Sequence, residues 1–150
     1  MSYKNFDVKT LSDAGVKLPI YDLNDRETGH WIKVRGVDSD AFIEANEEAI
    51  RARVALEAIS DKKEKAKLVK NIRLTLLASL ISDWSFDEIA GIGNIVDFLQ
   101  RSPQVAESID KFAANRENFI AKKSNHSGIL LRFIQSLMRK LAIKPGVTTS

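Results

Sequence analysis

Residues Leu68–Trp84, with the sequence LVKNIRLTLLASLISDW, contain the densest run of apolar residues in the chain. The aliphatic residues recur at steps of three and four, which is the spacing of one helix face. Leu74 and Ala78 widen that face, so that only a narrow polar strip remains for water. A helix this apolar usually lies at the centre of a fold, with neighbours on several sides. We therefore predict a core helix in this stretch.

A narrower amphipathic pattern precedes the core helix. Asp38 and Ser39 are good N-cap residues for a helix that continues to about Ile59. Its apolar stripe consists mostly of small residues, which suit close helix packing: Phe42, Ala45, Ala49, Ala52, Leu56 and Ile59. Ser60-Asp61 can cap the second helix, predicted from Asp61 to about Asp83. Because the connection is short, the two helices are expected to form an antiparallel hairpin.

The N-terminal part of the chain favours strands. Residues 1–16 carry only a weak apolar pattern and are predicted to be an irregular, flexible lead-in. Leu18–Leu23 and Trp31–Val34 are predicted as the strands of a β-hairpin, joined by the polar loop Asn24–Gly29. Pro19 cannot donate a hydrogen bond to a neighbouring strand, so the first strand is expected at an edge. Two strands alone are marginally stable, so the hairpin must pack on helices or on another chain.

The second half of the chain favours further helices. Asn94 is predicted to cap a short helix, Ile95–Arg101, and Ser102-Pro103 to start a fourth helix that ends near Lys123. After the loop Ser124–Gly128 comes a fifth, basic amphipathic helix, Ile129–Ile143, followed by a flexible end at 145–150. The predicted fold is a single mainly α domain over 1–150, a bundle of about five helices with an N-terminal β-hairpin.

Composition excludes several classes of site. The 150 residues include 0 cysteines, which excludes disulfides, thiolate metal sites and cysteine nucleophiles. The N-terminus lacks the apolar region of a signal peptide, and no apolar run reaches the roughly 20 residues that span a bilayer. A cytosolic protein is therefore expected. The net charge of +3 is modest, and basic runs of this kind are usually solvated helix faces.

No catalytic, cofactor or metal site is predicted. His30 and His126 lack the spacing of metal ligands, and Gly91-Ile92-Gly93-Asn94 lacks the lysine and the preceding strand of a phosphate loop. The acids of Asp83–Glu88 are interpreted as helix caps or dipole partners. An enzyme that uses them is the third and weakest hypothesis.

Aromatic and basic residues suggest contacts instead. Trp84 and Phe86 are interpreted as core residues that close the end of the bundle, with a partner anchor as the alternative. Arg116 falls within the apolar face of the fourth helix and is a candidate for a buried ion pair or a groove edge. The fifth helix is expected to pack in its own bundle, and a partner's groove or a membrane surface are alternatives.

The order of several short motifs resembles the tail assembly chaperones of long-tailed, siphovirus-type bacteriophages. Trp84-Ser85 ends an apolar helix, the short Asn94–Leu99 segment and Pro103 follow, and Arg116–Lys122 closes the series. Upstream, ETGHWIKVRGVDSDAF is similar to the family's hairpin and helix start, with Gly36, Asp38, Ser39 and Phe42 in the matching positions. The resemblance covers most of residues 17–124, and the C-terminal helix departs from it.

The resemblance implies a non-enzymatic assembly factor without cofactors. Members bind the tape measure protein and tail tube subunits before polymerisation, act in the host cytoplasm, and are expected to be absent from the mature virion. Self-association is left open. The predicted partner surface combines these residues: Phe119, Lys122, Lys123, Leu131, Arg132, Phe133 and Arg139.

The alternative from another class is a small nucleic-acid-binding regulator that uses the basic helices. Such a protein would retain DNA with a steep dependence on salt concentration. We consider nucleic-acid binding and membrane binding less well supported by the sequence than protein binding.

Overall fold

The computed structural model describes residues 1–121. The predicted loop 124–128, the fifth helix 129–143 and the end 145–150 lie outside the described residues. The elements in chain order are α1 (Lys9–Ala14), β1 (Val16–Tyr21), β2 (Glu27–Val34), α2 (Asp40–Ala55), α3 (Lys62–Ala78), β3 (Ile81–Trp84), α4 (Ile92–Arg101) and α5 (Pro103–Ala114). Short 3₁₀ helices occupy Tyr3–Phe6, Leu56–Ala58 and Arg116–Phe119.

The N-terminal segment is more regular than predicted. Residues 1–16 contain a 3₁₀ helix and α1 in place of an irregular lead-in. Gly15 ends α1 with a φ of 85°, a backbone conformation that glycine adopts readily, and its N–H donates to the Leu11 carbonyl. Ser12 is fully buried, and its carbonyl accepts a hydrogen bond from the Gly36 N–H at 3.1 Å. This contact joins α1 to the segment that follows β2.

The predicted β-hairpin is present with different bounds, since β1 ends at Tyr21 and β2 already begins at Glu27, inside the predicted loop Asn24–Gly29. β1 and β2 pair antiparallel, with Val16 opposite Val34 and Leu18 opposite Ile32. Asp22 shapes the turn, because its carboxylate accepts hydrogen bonds from the N–H groups of Asn24 and Arg26. β1 lies at one edge of the sheet, as Pro19 predicts. The hairpin is nevertheless only part of a three-stranded sheet in the order β1-β2-β3.

The third strand corrects the prediction for the core helix. α3 ends at Ala78, and Ile81–Trp84 pairs antiparallel with β2 instead of continuing the helix to Asp83. Arg35 stabilises the break, since its N–H donates to the Leu80 carbonyl at 2.6 Å and its guanidinium donates to the Ser79 carbonyl at 3.0 Å. Arg35 thus satisfies carbonyl groups just after α3 that have no partner within the helix.

The helix hairpin forms as predicted, with different ends. Ser39 caps α2 by accepting the Phe42 N–H, and Asp61 caps α3 by accepting the N–H groups of Lys63 and Glu64. The first helix was predicted to reach Ile59. It ends as an α-helix at Ala55 and tightens into the 3₁₀ turn at Leu56–Ala58.

The last two helices also begin or end differently from the prediction. α4 starts one turn early, with Gly91 as its N-cap, and the Asn94 side chain donates to the Ile89 carbonyl instead of capping the helix. α5 ends at Ala114, well before Lys123. Asn115 takes an extended conformation there, and its side chain accepts the Glu117 N–H to start the 3₁₀ helix.

The core lies where the sheet meets α3, α4 and α5. Its large buried side chains come from the sheet and from the helices: Ile32, Val34, Leu77, Leu80, Trp84, Ile95, Leu99 and Ile109. The mainly α prediction is confirmed, with a small antiparallel sheet on which the helices pack. No helix within residues 1–121 combines the length and the apolar content that crossing a bilayer requires.

Candidate binding groove

An open apolar groove runs between α2 and α3. It has a volume of ≈ 400 Å³. One wall comes from α2, the other from α3, and Ile92 at the start of α4 adds to the lining. The lining residues are Ala45, Glu48, Ala49, Ala52, Leu68, Asn71, Ile72, Thr75, Leu76, Ser79 and Ile92. We call this feature the α2–α3 groove.

The groove follows from a mismatch in side-chain size. The α2 wall consists of alanines at steps of three and four, whose methyl groups reach only a short way towards α3. The α3 wall consists of Leu68, Ile72 and Leu76, spaced at four residues on one helix face. The space between the two walls is open to solvent and large enough to take side chains from another molecule.

Apolar atoms dominate the lining, and two of its polar side chains, Glu48 and Ser79, have partners. Glu48 holds Arg51 of the same helix at 2.8 Å. The Ser79 hydroxyl donates to the Leu76 carbonyl at 2.6 Å. Among the described residues, no convergent ionisable groups line the groove. Such a surface can bind another molecule by burying that molecule's apolar side chains. Within residues 1–121, no three His, Cys, Asp or Glu side chains are placed to hold a metal ion.

One strongly exposed aliphatic side chain belongs to the groove lining. Ile92 at the start of α4 is 58% exposed. A single exposed aliphatic is ordinary on protein surfaces, and here it extends the apolar lining of the groove.

Of the predicted partner residues, only Phe119 lies in the described part of the chain. Phe119 is only 1% exposed, and its ring lies 5.8 Å from that of Phe112 in an edge-on contact. Its placement gives Phe119 a packing role, and its contact with a partner stays a prediction. The other six residues lie outside the described residues: Lys122, Lys123, Leu131, Arg132, Phe133 and Arg139.

Two of the motifs that carry the family resemblance come together, residues 36–39 and Arg116–Phe119. Arg116 forms a bidentate pair with Asp38, at 2.8 Å and 3.0 Å, across 78 residues of sequence. Phe119 packs beside Gly36, and Ser39 caps α2. The two motifs thus join the start of α2 to the segment after α5. Their short, ordered residue pattern has a structural explanation.

Arg116 was predicted to form a buried pair or to line a groove edge. It forms the pair, but its side chain is 65% exposed, while that of Asp38 is 30% exposed. The hydrogen bonds from the Arg116 guanidinium, and secondarily its positive charge, lower the pKa of Asp38 despite some opposing desolvation. The pair lies outside the lining of the α2–α3 groove.

The remaining sequence candidates lie apart from the groove. The Trp84 side chain is 7% exposed, and its indole N–H donates to the Glu88 carbonyl at 2.6 Å, which confirms the predicted core role. Phe86 and Phe98 pack edge-on or tilted around it. His30 is exposed and its Nδ1 lies 3.1 Å from the Ser85 hydroxyl. Asp83, Asp87 and Glu88 are exposed.

Sequence reasoning missed the groove. The alanine stripe of α2 predicts a surface for close helix packing, and α2 does pack on α3. The signal that could have revealed the groove is the pairing of small residues on one helix with leucine and isoleucine on the next. That pairing can close tightly or leave a channel, and the outcome depends on the interhelical distance.

Comparisons with known proteins add no assignment. No protein-family model, curated protein or solved structure matches this chain significantly.

Proposed function

We propose that this protein is a non-catalytic tail assembly chaperone of a long-tailed bacteriophage. It binds the tape measure protein, and also tail tube subunits, in the host cytoplasm during tail assembly, and it does not remain in the mature virion. The α2–α3 groove is the observation that carries the proposal, since it offers an open apolar surface beside an otherwise well-packed core. The ordered motifs described above support the same family.

The dimensions of the groove suit a helical segment. Its α3 wall extends from Leu68 to Ser79, which at 1.5 Å per residue is about 16 Å, or three helical turns. A long, helix-rich tape measure protein exposes apolar stripes until the tube encloses it. An amphipathic helix presents such a stripe at steps of three and four, which matches the spacing of the α3 wall. Reversible burial of this stripe would prevent premature association.

Co-purification with the tape measure protein of the same phage tests the proposal. Ala45→Leu should fill the groove with apolar atoms, and Ile72→Asp should place a charge in it; each is expected to reduce binding at least about tenfold, the equivalent of 1.4 kcal/mol. Leu23→Asp is the matched control, because Leu23 is 85% exposed in the turn between β1 and β2 and lies outside the groove lining.

Two results would contradict the proposal. Wild-type chain that does not co-purify with the tape measure protein removes the function. Normal binding by both groove variants, with circular dichroism confirming that they fold, moves the contact to another surface.

A nucleic-acid-binding regulator is the second candidate. The observation in its favour is a set of exposed basic residues on α3, none of which forms an ion pair with another residue in 1–121: Lys62, Lys63, Lys65, Lys67, Lys70 and Arg73. All 20 acidic residues but only 17 of the 23 basic residues lie in 1–121, which therefore carry a formal charge of −3. Steeply salt-dependent DNA retention would favour this candidate over the chaperone.

A further inference from the structure

The face of α2 that points away from the groove carries a second apolar stripe. Ile43, Ile50 and Val54 are 45%, 51% and 64% exposed. Their spacing of seven and four residues places them on one side of the helix, together with Glu47. The alanines of the groove wall lie on the opposite side. We call Ile43, Glu47, Ile50 and Val54 the outer stripe.

Charged residues flank the outer stripe, and their signs follow a fixed direction along the helix. Glu44 and Arg51 are seven residues apart and therefore share one flank, with the acid nearer the start of α2 and the base nearer its end. Asn46 and Arg53, which are also seven residues apart, share the other flank. Arg51 also holds Glu48 within its own helix.

We infer that the outer stripe binds the outer stripe of a second copy of this chain, with the two α2 helices antiparallel about a two-fold axis. An axis midway between Glu47 and Ile50 sets Ile43 opposite Val54 of the second copy. The same axis places Ile50 against the aliphatic stem of the second copy's Glu47. A two-fold contact needs a surface that is complementary to itself, and this stripe meets that requirement.

The charges select the antiparallel orientation. In a two-fold antiparallel pair, each flank meets the same flank of the other helix. Glu44 then faces Arg51 of the second copy, and Arg51 faces its Glu44, which gives two opposite-charge pairs. In a parallel pair, the flank with Arg51 would meet the flank with Arg53 at nearly the same height, and the like charges would repel.

The contact is small, and the dimer is expected to be weak. Three aliphatic residues from each copy bury less than the roughly 1,200 Å² that stable interfaces exceed. A dissociation constant on the order of 100 μM is expected. The inference does not rest on the proposed function, because the outer stripe and the α2–α3 groove are separate surfaces of α2.

Sedimentation velocity of the full chain over a concentration series tests the contact. Wild-type chain should dimerise, and Ile50→Glu, which places a second carboxylate against Glu47 of the second copy, should raise the dissociation constant at least about tenfold. Ile89→Glu is the matched control, since Ile89 is 82% exposed and lies outside α2. A chain that stays monomeric at millimolar concentration, or an Ile50→Glu variant that dimerises as wild type does, overturns the inference.

A charge exchange tests the orientation. Glu44→Arg and Arg51→Glu should each weaken dimerisation, because each puts like charges against the unchanged residue of the second copy. In a Glu48→Gln background, which removes the partner of Arg51 within its own helix, the double variant restores two opposite-charge pairs and should return to within about threefold of that background's dissociation constant. A double variant weaker than either single variant would contradict the antiparallel register. Circular dichroism controls for changes in the helix itself.

Cross-linking gives an independent measure of the register, because the chain has 0 cysteines. In the antiparallel pair, residue 47 lies about 4–5 Å along the axis from its equivalent, whereas residue 54 lies about 16 Å from its own. A short bismaleimide should therefore link Glu47→Cys to itself. It should link Ile43→Cys to Val54→Cys in a mixture, but not Val54→Cys to itself. Efficient linkage of Val54→Cys to itself would indicate a parallel pair and overturn the register.

Discussion

Gly36 shows how one residue can fix the packing of three segments. It is buried between α1 and the 3₁₀ helix at Arg116–Phe119. A Cβ atom at this position would overlap the Ser12 hydroxyl and lie 3.1 Å from Ser12 Cβ and 3.2 Å from Phe119 Cδ2. Glycine is needed here for space, and the backbone conformation plays no part.

We expect Gly36→Ala to lower the free energy of unfolding by about 2 kcal/mol, since overpacking a closed site forces its neighbours to move. Urea denaturation of the full chain measures the change. Gly93→Ala is the control, because nothing lies within 4 Å of an added Cβ in α4, and alanine favours a helix by about 0.5–1 kcal/mol. Equal stability of Gly36→Ala and wild type would show that this site can relax.

Adding Ser12→Ala separates the two contacts of the new methyl group. The Ser12 hydroxyl has no hydrogen-bond partner among the described residues, so its removal alone should change stability little. In the double variant the overlap disappears, and about half of the loss in Gly36→Ala should be recovered. If the stability losses of the two single variants simply add in the double variant, the contact with Phe119, and not the overlap with Ser12, causes the loss in Gly36→Ala.

At the scale of elements, the junction between α3 and β3 determines the fold. Leu80 is fully buried in this junction, whereas Val69 on α3 is 47% exposed although both belong to the apolar run of the sequence. Leu80→Ala should lower the free energy of unfolding by about 2–5 kcal/mol, because it leaves a cavity. Val69→Ala should lower it by less than about 1 kcal/mol. Comparable losses, measured by urea denaturation, would favour a continuous helix through residue 83.

The Asp38–Arg116 pair joins α2 to the segment after α5, and its contribution should depend on pH. The folded-state pKa of Asp38 is lowered, so its stabilisation is present above the unfolded value of about 3.9 and is lost as the pH falls through the folded value. Asp38→Asn should therefore be less stable than wild type at pH 7. The difference should shrink progressively below about pH 4. A difference that is constant from pH 7 to pH 2 would exclude the ion pair as its cause.

Local signals allowed several elements to be predicted. Ser39 and Asp61 cap helices as expected, because a side chain that accepts nearby N–H groups acts within a few residues. β3 was missed since its partner strand is about fifty residues distant, with Val34 opposite Ile81. The apolar spacing of helix and buried strand is ambiguous over four residues, and only this long-range pairing decides between them.

The candidate site was less predictable than the fold. Sequence analysis identified the residues of both groove walls, but it could not give the distance between them. The order of the motif residues Asp38, Arg116 and Phe119 carries the resemblance. In the structure, Asp38 and Arg116 form an ion pair, and Phe119 is buried. The residues of a motif can thus make contacts within the fold as well as contacts with a partner.

For the whole molecule, partner binding in the groove should raise thermal stability, because the groove exists only in the folded state. At a partner concentration about 100 times the dissociation constant, the folded state gains about 2.7 kcal/mol, which raises the melting temperature by about 5–10 °C. Differential scanning fluorimetry with an amphipathic helical peptide from the tape measure protein measures the shift. The Ala45→Leu variant should show little shift, and an equal shift in this variant would place the peptide elsewhere.

The exposed border of the sheet has a consequence for this protein at high concentration. Pro19 interrupts the row of N–H groups along β1, and the Lys17 ammonium lies 4.2 Å from the centre of the Trp31 ring beside it. Strand borders with proline and lysine resist the edge-to-edge stacking that leads to fibrils. Replacing Pro19 would remove this protection, so crowding could then drive irreversible precipitation while the monomer fold stayed intact.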